Sequence, residues 1–365
     1  MRMRKPPRRP GRLRAPVGAH ARKAKEPRSR KEHGAVDARS EERFIATVER
    51  LIDPMKVSNL LCFQSLKRLL PAFVLKRLLR SASRKTPHIG FVIEPYSLFL
   101  FFKLKDLELA ASLLPDRYEL AKTKVFADDE PDYYLGIGNL STRASTFWGN
   151  RQESYLIAKD RQTGLLSWIF IGILSDTVIA LPTKGIADPN SRNAIFTTTS
   201  KGEIILDFRE DRTGRRLRAR GSLRGGTMRE LDQPIWLMGN TSIGHSRELA
   251  GGDDEPFAVI FDPAEVEQGL YIPPGDIRIE ENTLFPGLAE PEISKAICFP
   301  FAQHYIADSP GLRTFVKDRG DLVSHYKRLA DSENLRTFSA RTIVAQLAIG
   351  IAASALVAAL LVLVF

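Results

Sequence analysis

Residues 343–365 of the chain read IVAQLAIGIAASALVAALLVLVF, 23 residues without a single charge. Gln346 and Ser354 are the only polar side chains in the run. At about 1.5 Å per residue a helix of this length spans roughly 34 Å, and a bilayer core is about 30 Å thick. A segment apolar on every side has no face to turn to water, so it cannot coat a globular body. It is expected to be a C-terminal transmembrane helix, with residues 331–342 as its juxtamembrane linker. Lys327, Arg328, Arg336 and Arg341 precede it, and the positive-inside rule then places the body on the cytoplasmic side. The expected protein is a single-pass, tail-anchored membrane protein whose lipid contact runs through this helix. Gly350 and Ser354 form a small-xxx-small pair that lets two such helices approach closely, which makes a homodimer one expected assembly.

The opposite end is of another kind. The formal net charge of +11 is concentrated in residues 1–31, which carry 13 Lys/Arg and only one acid, Glu26. The rest of the chain is close to neutral, so the basicity says nothing of the folded body and implies no specific nucleic-acid partner. Residues 1–43 are rich in Arg, Lys and Pro, as in Pro6-Pro7-Arg8-Arg9-Pro10. They cannot bury enough apolar surface to fold and are expected to be a disordered basic tail. Attraction to anionic lipid, nonspecific nucleic-acid binding and organelle targeting compete as its role, and an anchor elsewhere in the chain favours lipid. No apolar stretch follows the basic start, which excludes a secretory signal.

Residues 44–85 form a basic amphipathic segment. Between Pro54 and Ile93 there are eight Lys/Arg and no acid, interleaved with Leu60, Leu66, Phe73, Leu78 and other apolar residues. The spacing predicts a helix broken or kinked at Pro71. Two readings stay open: a helix lying in a membrane interface, and one packed on the body with its basic face in water.

Residues 86–330 read as one domain of short strands. The run 96–104 is apolar and aromatic, Asp106 caps a short helix over 107–114, and a strand follows at 133–138. Strands at 152–158 and 165–174 flank Asp160-Arg161-Gln162-Thr163-Gly164, and 203–209 and 215–223 flank Asp211-Arg212-Thr213-Gly214, two antiparallel hairpins. Ile204, Leu206 and Phe208 share one face of their strand, which is the alternation of a sheet with one wet side. Further strands are expected at 234–239 and 257–261, then a short helix capped by Asp262 with Pro263 in its first turn. Helical patterning is expected from Pro291 through 312–329. With no βαβ alternation, the fold class is mainly β with peripheral helices (α+β), a curved antiparallel sheet or barrel.

Standard signatures of cofactor chemistry are missing. Cys62 and Cys298 belong to no Cys/His cluster, and the six histidines form no HxxxH or HExxH, so neither a metal nor a disulfide framework is expected. Gly136-Ile137-Gly138 lacks the third glycine of a dinucleotide fingerprint, and Gly239-Asn240-Thr241-Ser242-Ile243-Gly244-His245 is a polar turn rather than a GxSxG elbow. No cofactor is expected. The stretch Arg151-Gln152-Glu153-Ser154-Tyr155 is more informative, because Arg151, Glu153 and Tyr155 share one strand face. If that face lines the interior, Arg151 beside Glu153 in low dielectric can hold a carboxylate or enolate; on the outside the two make an ordinary surface ion pair. Arg216, Arg218 and Arg220 also share a face and are expected to pair across their hairpin with Asp207 and Glu203. Lys184 follows the apolar strand 165–174; desolvated at a barrel mouth it is an amine nucleophile toward a ketone, and in water it is a turn lysine.

Over about residues 90–225 the order of segments resembles the acetoacetate decarboxylase-like superfamily. The resemblance is carried by Tyr96-Ser97-Leu98-Phe99-Leu100-Phe101-Phe102, by the step Leu113-Leu114-Pro115-Asp116-Arg117-Tyr118-Glu119-Leu120, and by the strands that follow. It implies a curved antiparallel barrel around a cavity and a small apolar or keto-acid ligand. Family decarboxylases carry a Gly-Arg-Glu step and then Pro-Lys-Lys, whose lysine forms a Schiff base. Here Ala180-Leu181-Pro182-Thr183-Lys184-Gly185 keeps Pro182 and Lys184, and there is no Gly-Arg-Glu. The resemblance thus implies Lys184 and Glu153 as catalytic residues and Arg151 and Tyr155 as ligand contacts. A binding module without chemistry and a membrane scaffold are the alternatives.

Overall fold

A computed structural model of the chain describes residues 36–54, 88–145, 147–181, 185–252, 255–308, 314–333 and 335, together with 345, 348, 349, 351 and 352. Among the described residues no helix is long and apolar enough to cross a membrane. Most of the expected span 343–365 lies outside them, as do residues 1–35, residues 55–87 and Lys184.

The described residues hold four α-helices, α1 (Ala38–Leu51), α2 (Leu107–Ser112), α3 (Arg247–Ala250) and α4 (Arg319–Ala330). They also hold eighteen strands: β1 (His88–Ile93), β2 (Ser97–Lys103), β3 (Tyr118–Leu120), β4 (Tyr134–Ala144), β5 (Trp148–Asp160), β6 (Leu166–Ser175), β7 (Ile179–Leu181), β8 (Gly185–Ala187), β9 (Ile195–Thr198), β10 (Glu203–Arg209), β11 (Arg216–Ser222), β12 (Thr227–Glu230), β13 (Ile243–His245), β14 (Val259–Ile260), β15 (Gln268–Tyr271), β16 (Ile277–Asn282), β17 (Lys295–Phe299) and β18 (Gln303–Asp308). The fold is mainly β, as the alternation in the sequence implies.

Twelve strands make one curved sheet whose main path runs β12-β15-β17-β2-β4-β1-β18-β14. The long strand β4 sets the curvature. Along one edge it pairs first with β2 and then, beyond Asn139, with β1; along the other it pairs with β5 from end to end. From β5 the sheet continues to β6 and then to β13, and β6–β13 is a parallel pair in a sheet that is otherwise antiparallel. The ladders do not close into a barrel. The two ends meet at an isolated bridge between Ile243 of β13 and Phe257, just before β14, and at the Val259 N–H, which donates to the Asn240 carbonyl at 3.1 Å. β9, β10, β11 and β16 make a second, four-stranded sheet, and β7 with β8 a small hairpin.

Burial separates the two faces of the curved sheet. Leu98, Leu100, Phe102, Leu135, Ile137 and Leu156 pack against Ile204, Leu206, Phe208, Leu217 and Ala219 of the four-stranded sheet. The alternate residues, among them Phe101, Tyr155, Trp168, Phe170 and Tyr305, belong to a second core that also takes in α1 and α4. Asp37 caps α1 by accepting the Ser40 N–H at 3.0 Å, and Phe44 of α1 stacks on Tyr326 of α4 with ring centres 4.0 Å apart. The helix thus begins inside residues 1–43, the stretch expected to be disordered, because the Arg/Pro-rich composition gives way at Asp37 to a cap and an apolar stripe.

Three local expectations are corrected. Pro234–Met238 is a helical turn and not a strand; Trp236 inside it is buried and donates its indole N–H to the Val125 carbonyl at 2.9 Å. The region after Pro291 opens with two strands, β17 and β18, and becomes helical only at Arg319, after the Asp318 cap. Short fully buried runs such as Lys295–Phe299 have no periodicity that separates strand from helix. Gly239–His245 is not a free polar turn: its last three residues are β13, the Ser242 and Ser167 hydroxyls are hydrogen-bonded at 2.6 Å, and the His245 ring stacks on Phe170.

Candidate functional site

β5 places Arg151, Glu153 and Tyr155 on one face because side chains two apart on a strand point the same way. That face is the inner one. Their neighbour Phe170 on β6 and their partner Leu140 on β4 both belong to the inner core, whereas Leu156 packs in the core against the four-stranded sheet. A register shift between Ser154 and Tyr155, where β6 carries an extra residue, sits in the middle of the trio. Bulges of this kind bend a strand and re-aim its side chains.

All three side chains are buried: Arg151 is 7% exposed, Glu153 9% and Tyr155 7%. Arg151 Nε donates to Glu153 Oε1 at 3.0 Å, and the Tyr155 hydroxyl donates to Oε2 of the same carboxylate. Burial, and then the Glu153 charge, push the Tyr155 hydroxyl well above the usual phenol range, so it stays a proton donor. The Arg151 guanidinium lies 4.5 Å from the centre of the Phe147 ring. Its Nη1 and Nη2 atoms have no hydrogen-bond acceptor among the described residues. Four strong donors are thereby left over at the end of a largely buried side chain, and an arginine fork fits a carboxylate in two parallel bonds.

Room for this arrangement comes from β4. Opposite Glu153 stands Gly138, and opposite Tyr155 stands Gly136. A Cβ on Gly138 would come 2.8 Å from Phe99 Cε1, so a glycine is needed there for the Phe99 ring to lie over β4. Gly136-Ile137-Gly138, whose spacing falls short of a nucleotide loop, lies in the strand expected at 133–138, with small residues beneath aromatic rings.

The other sequence candidates lie elsewhere. Arg216 bonds Asp207 and reaches Glu281 at 3.4 Å, and Arg218 meets Glu280 at 2.7 Å, as does Arg220 at 3.3 Å. Asp207 is the expected partner, but Glu280 and Glu281 of β16 take the role foreseen for Glu203, because the strand beside β11 was not visible as a neighbour in the sequence. This ladder faces away from the inner core. Lys184 is outside the described residues and is not placed relative to Glu153. Among the described residues no group of three or more His, Cys, Asp or Glu is arranged to hold a metal ion.

Two inner-face residues were not singled out from the sequence, Thr142 of β4 and Tyr305 of β18. Tyr305 lay in a stretch read as helical, where its alternation with His304 and Ile306 has no meaning. Only the strand register reveals it.

No family model and no curated protein matches the chain. Among solved structures it is similar to the crystal structure of acetoacetate decarboxylase from Legionella pneumophila subsp. pneumophila str. Philadelphia 1. The likeness covers 62% of this chain and 87% of that one, at 10% sequence identity and a TM-score of 0.39. A likeness this loose carries no residue's role from one chain to the other.

Proposed function

We propose that the inner face of the curved sheet binds a small organic acid, its carboxylate held by the Nη1 and Nη2 atoms of Arg151 and its apolar or keto-bearing body lying among the aromatic rings. One observation carries this reading: a buried arginine, pinned through Nε by Glu153, whose remaining donors have no acceptor among the described residues. Glu153 holds the fork in place, and Tyr155 fixes Glu153 from the other side. Should the ligand be turned over, Glu153 stands closest to it as proton acceptor, and the decarboxylase-like reading adds Lys184 as the amine that forms an imine with the keto group. The apolar stretch 343–365 supports attachment of this domain to a membrane, with the basic tail as a second lipid contact.

Titration calorimetry of the full chain in detergent micelles, with short carboxylic acids and the matching neutral methyl ketones, tests the binding. The acids are expected to bind and the ketones not to. Equal heats for both classes, or none with any acid, overturn the reading. Conversion is tested separately: borohydride reduction in the presence of 4-oxopentanoate should leave a covalent adduct on the wild type and none on Lys184→Ala. An unmodified wild type leaves the binding module as the function.

A further inference from the structure

Inside a folded protein, buried polar groups are almost always hydrogen-bonded. The face of the sheet that carries Arg151 also carries hydroxyls with no hydrogen-bond partner among the described residues, Thr142 Oγ1 and the Tyr305 hydroxyl among them. Thr142 is 3% exposed, and its Oγ1 has no partner. It lies on β4 two residues beyond Leu140, the partner of Arg151, and pairs with Ile93 of β1. Tyr305 is 5% exposed, and its hydroxyl has no partner among the described residues.

The register fixes where Tyr305 points. It pairs with Phe91, which pairs with Ala144 on the same face as Thr142 and Leu140. Its neighbour His304 points the other way, toward Glu49 of α1 at 3.7 Å. The ring of Tyr305 is held by stacking on Phe91 at 4.9 Å and by Phe261 at 5.5 Å. Tyr305 and Tyr155 belong to the same hydrophobic core. The Tyr155 hydroxyl already donates a hydrogen bond to Glu153, and the Tyr305 hydroxyl donates to no described residue.

We propose that Tyr305 is a second ligand-binding residue, whose hydroxyl donates to an oxygen at the end of the ligand remote from Arg151, with the Thr142 hydroxyl on the wall between them. This rests on the reading of Arg151 as the carboxylate holder. It narrows the ligand class from short carboxylic acids in general to those that carry a further oxygen acceptor several bonds from the carboxylate.

The test is calorimetric titration of the full chain with two probes, pentanoate and 4-oxopentanoate, on the wild type, Tyr305→Phe and Arg151→Met. Tyr305→Phe removes one oxygen and leaves the stacked ring. It is expected to weaken 4-oxopentanoate about tenfold and to leave pentanoate within about twofold, the size of one buried hydrogen bond. Equal weakening of both probes, or no change in either, overturns the proposal. Arg151→Met separates the two claims: loss of both probes in that variant with no effect of Tyr305→Phe removes Tyr305 alone, whereas wild-type binding by Arg151→Met removes the underlying reading. Thr142→Val, nearly isosteric, gives a second check, since it is expected to weaken 4-oxopentanoate more than pentanoate.

Discussion

Arg151 and Glu153 hold each other in a nearly dry place, and that makes each a liability once the other is removed. A buried charge stripped of its partner costs about 3–5 kcal/mol, and exchanging both partners for neutral groups of similar shape costs much less. Arg151→Met is therefore expected to lower the denaturant midpoint strongly, and Arg151→Met with Glu153→Gln to recover a large part of the loss. Equal midpoints for the single and double variants would show that the pair is not coupled. A second buried pair anchors the β5–β6 hairpin: Arg117 forks onto Asp160 at 2.7 and 3.0 Å, with Asp160 also accepting from Gln162 N–H and Thr163. Burial alone raises the Asp160 pKa, but the Arg117 fork and the two further donors outweigh it and hold the carboxyl below the ordinary 3.8. A group depressed in the folded state contributes stability above its unfolded pKa and loses it as the pH falls through the folded one. Asp160→Asn is thus expected to destabilise by about 3 kcal/mol at neutral pH and by progressively less as the pH falls below 3.8 through the folded-state pKa, in urea titrations along that range. A penalty that does not shrink in acid contradicts the assignment.

At the scale of elements, strands with one wet face were legible and strands buried on both sides were not. The hairpin β10–β11 alternates Ile204, Leu206 and Phe208 with charged residues and pairs Glu203 with Ser222 as its turn dictates. β5 was legible too, and with it the shared face of Arg151, Glu153 and Tyr155. The run 295–299 offers no such contrast, and the turn at Pro234–Met238 looks apolar enough for a strand until the Trp236 indole is seen to need the Val125 carbonyl. The parallel pairing of β13 with β6 depends on chain segments far apart in sequence, which no local pattern records. The close approach of β2 and β4 makes its own prediction. Gly138→Ala sets a methyl group against the Phe99 ring and is expected to cost about 1–3 kcal/mol by overpacking. Phe99→Leu in the same chain should relieve part of it, as read from thermal midpoints, and an additive loss would contradict the contact.

For the whole molecule, the sequence indicates a folded body between two segments of unlike chemistry, and the described residues supply the body. Deleting residues 343–365 is expected to release the protein from membranes washed at alkaline pH; retention would move the attachment to residues 54–85. Pairing through β1 and β4 joins β18, near the end of the domain, to the same sheet as β5, and it is this joining of distant strands that sequence reasoning does not reach. The central claim is that the enclosed face receives a carboxylate at Arg151. A crystal structure of the full chain grown with 4-oxopentanoate tests it most directly. The account predicts carboxylate oxygens about 2.7–2.9 Å from Nη1 and Nη2, with the Arg151–Glu153 contact preserved. A ligand seated elsewhere, or Nη1 and Nη2 both hydrogen-bonded to protein groups with no ligand between the walls, would contradict it.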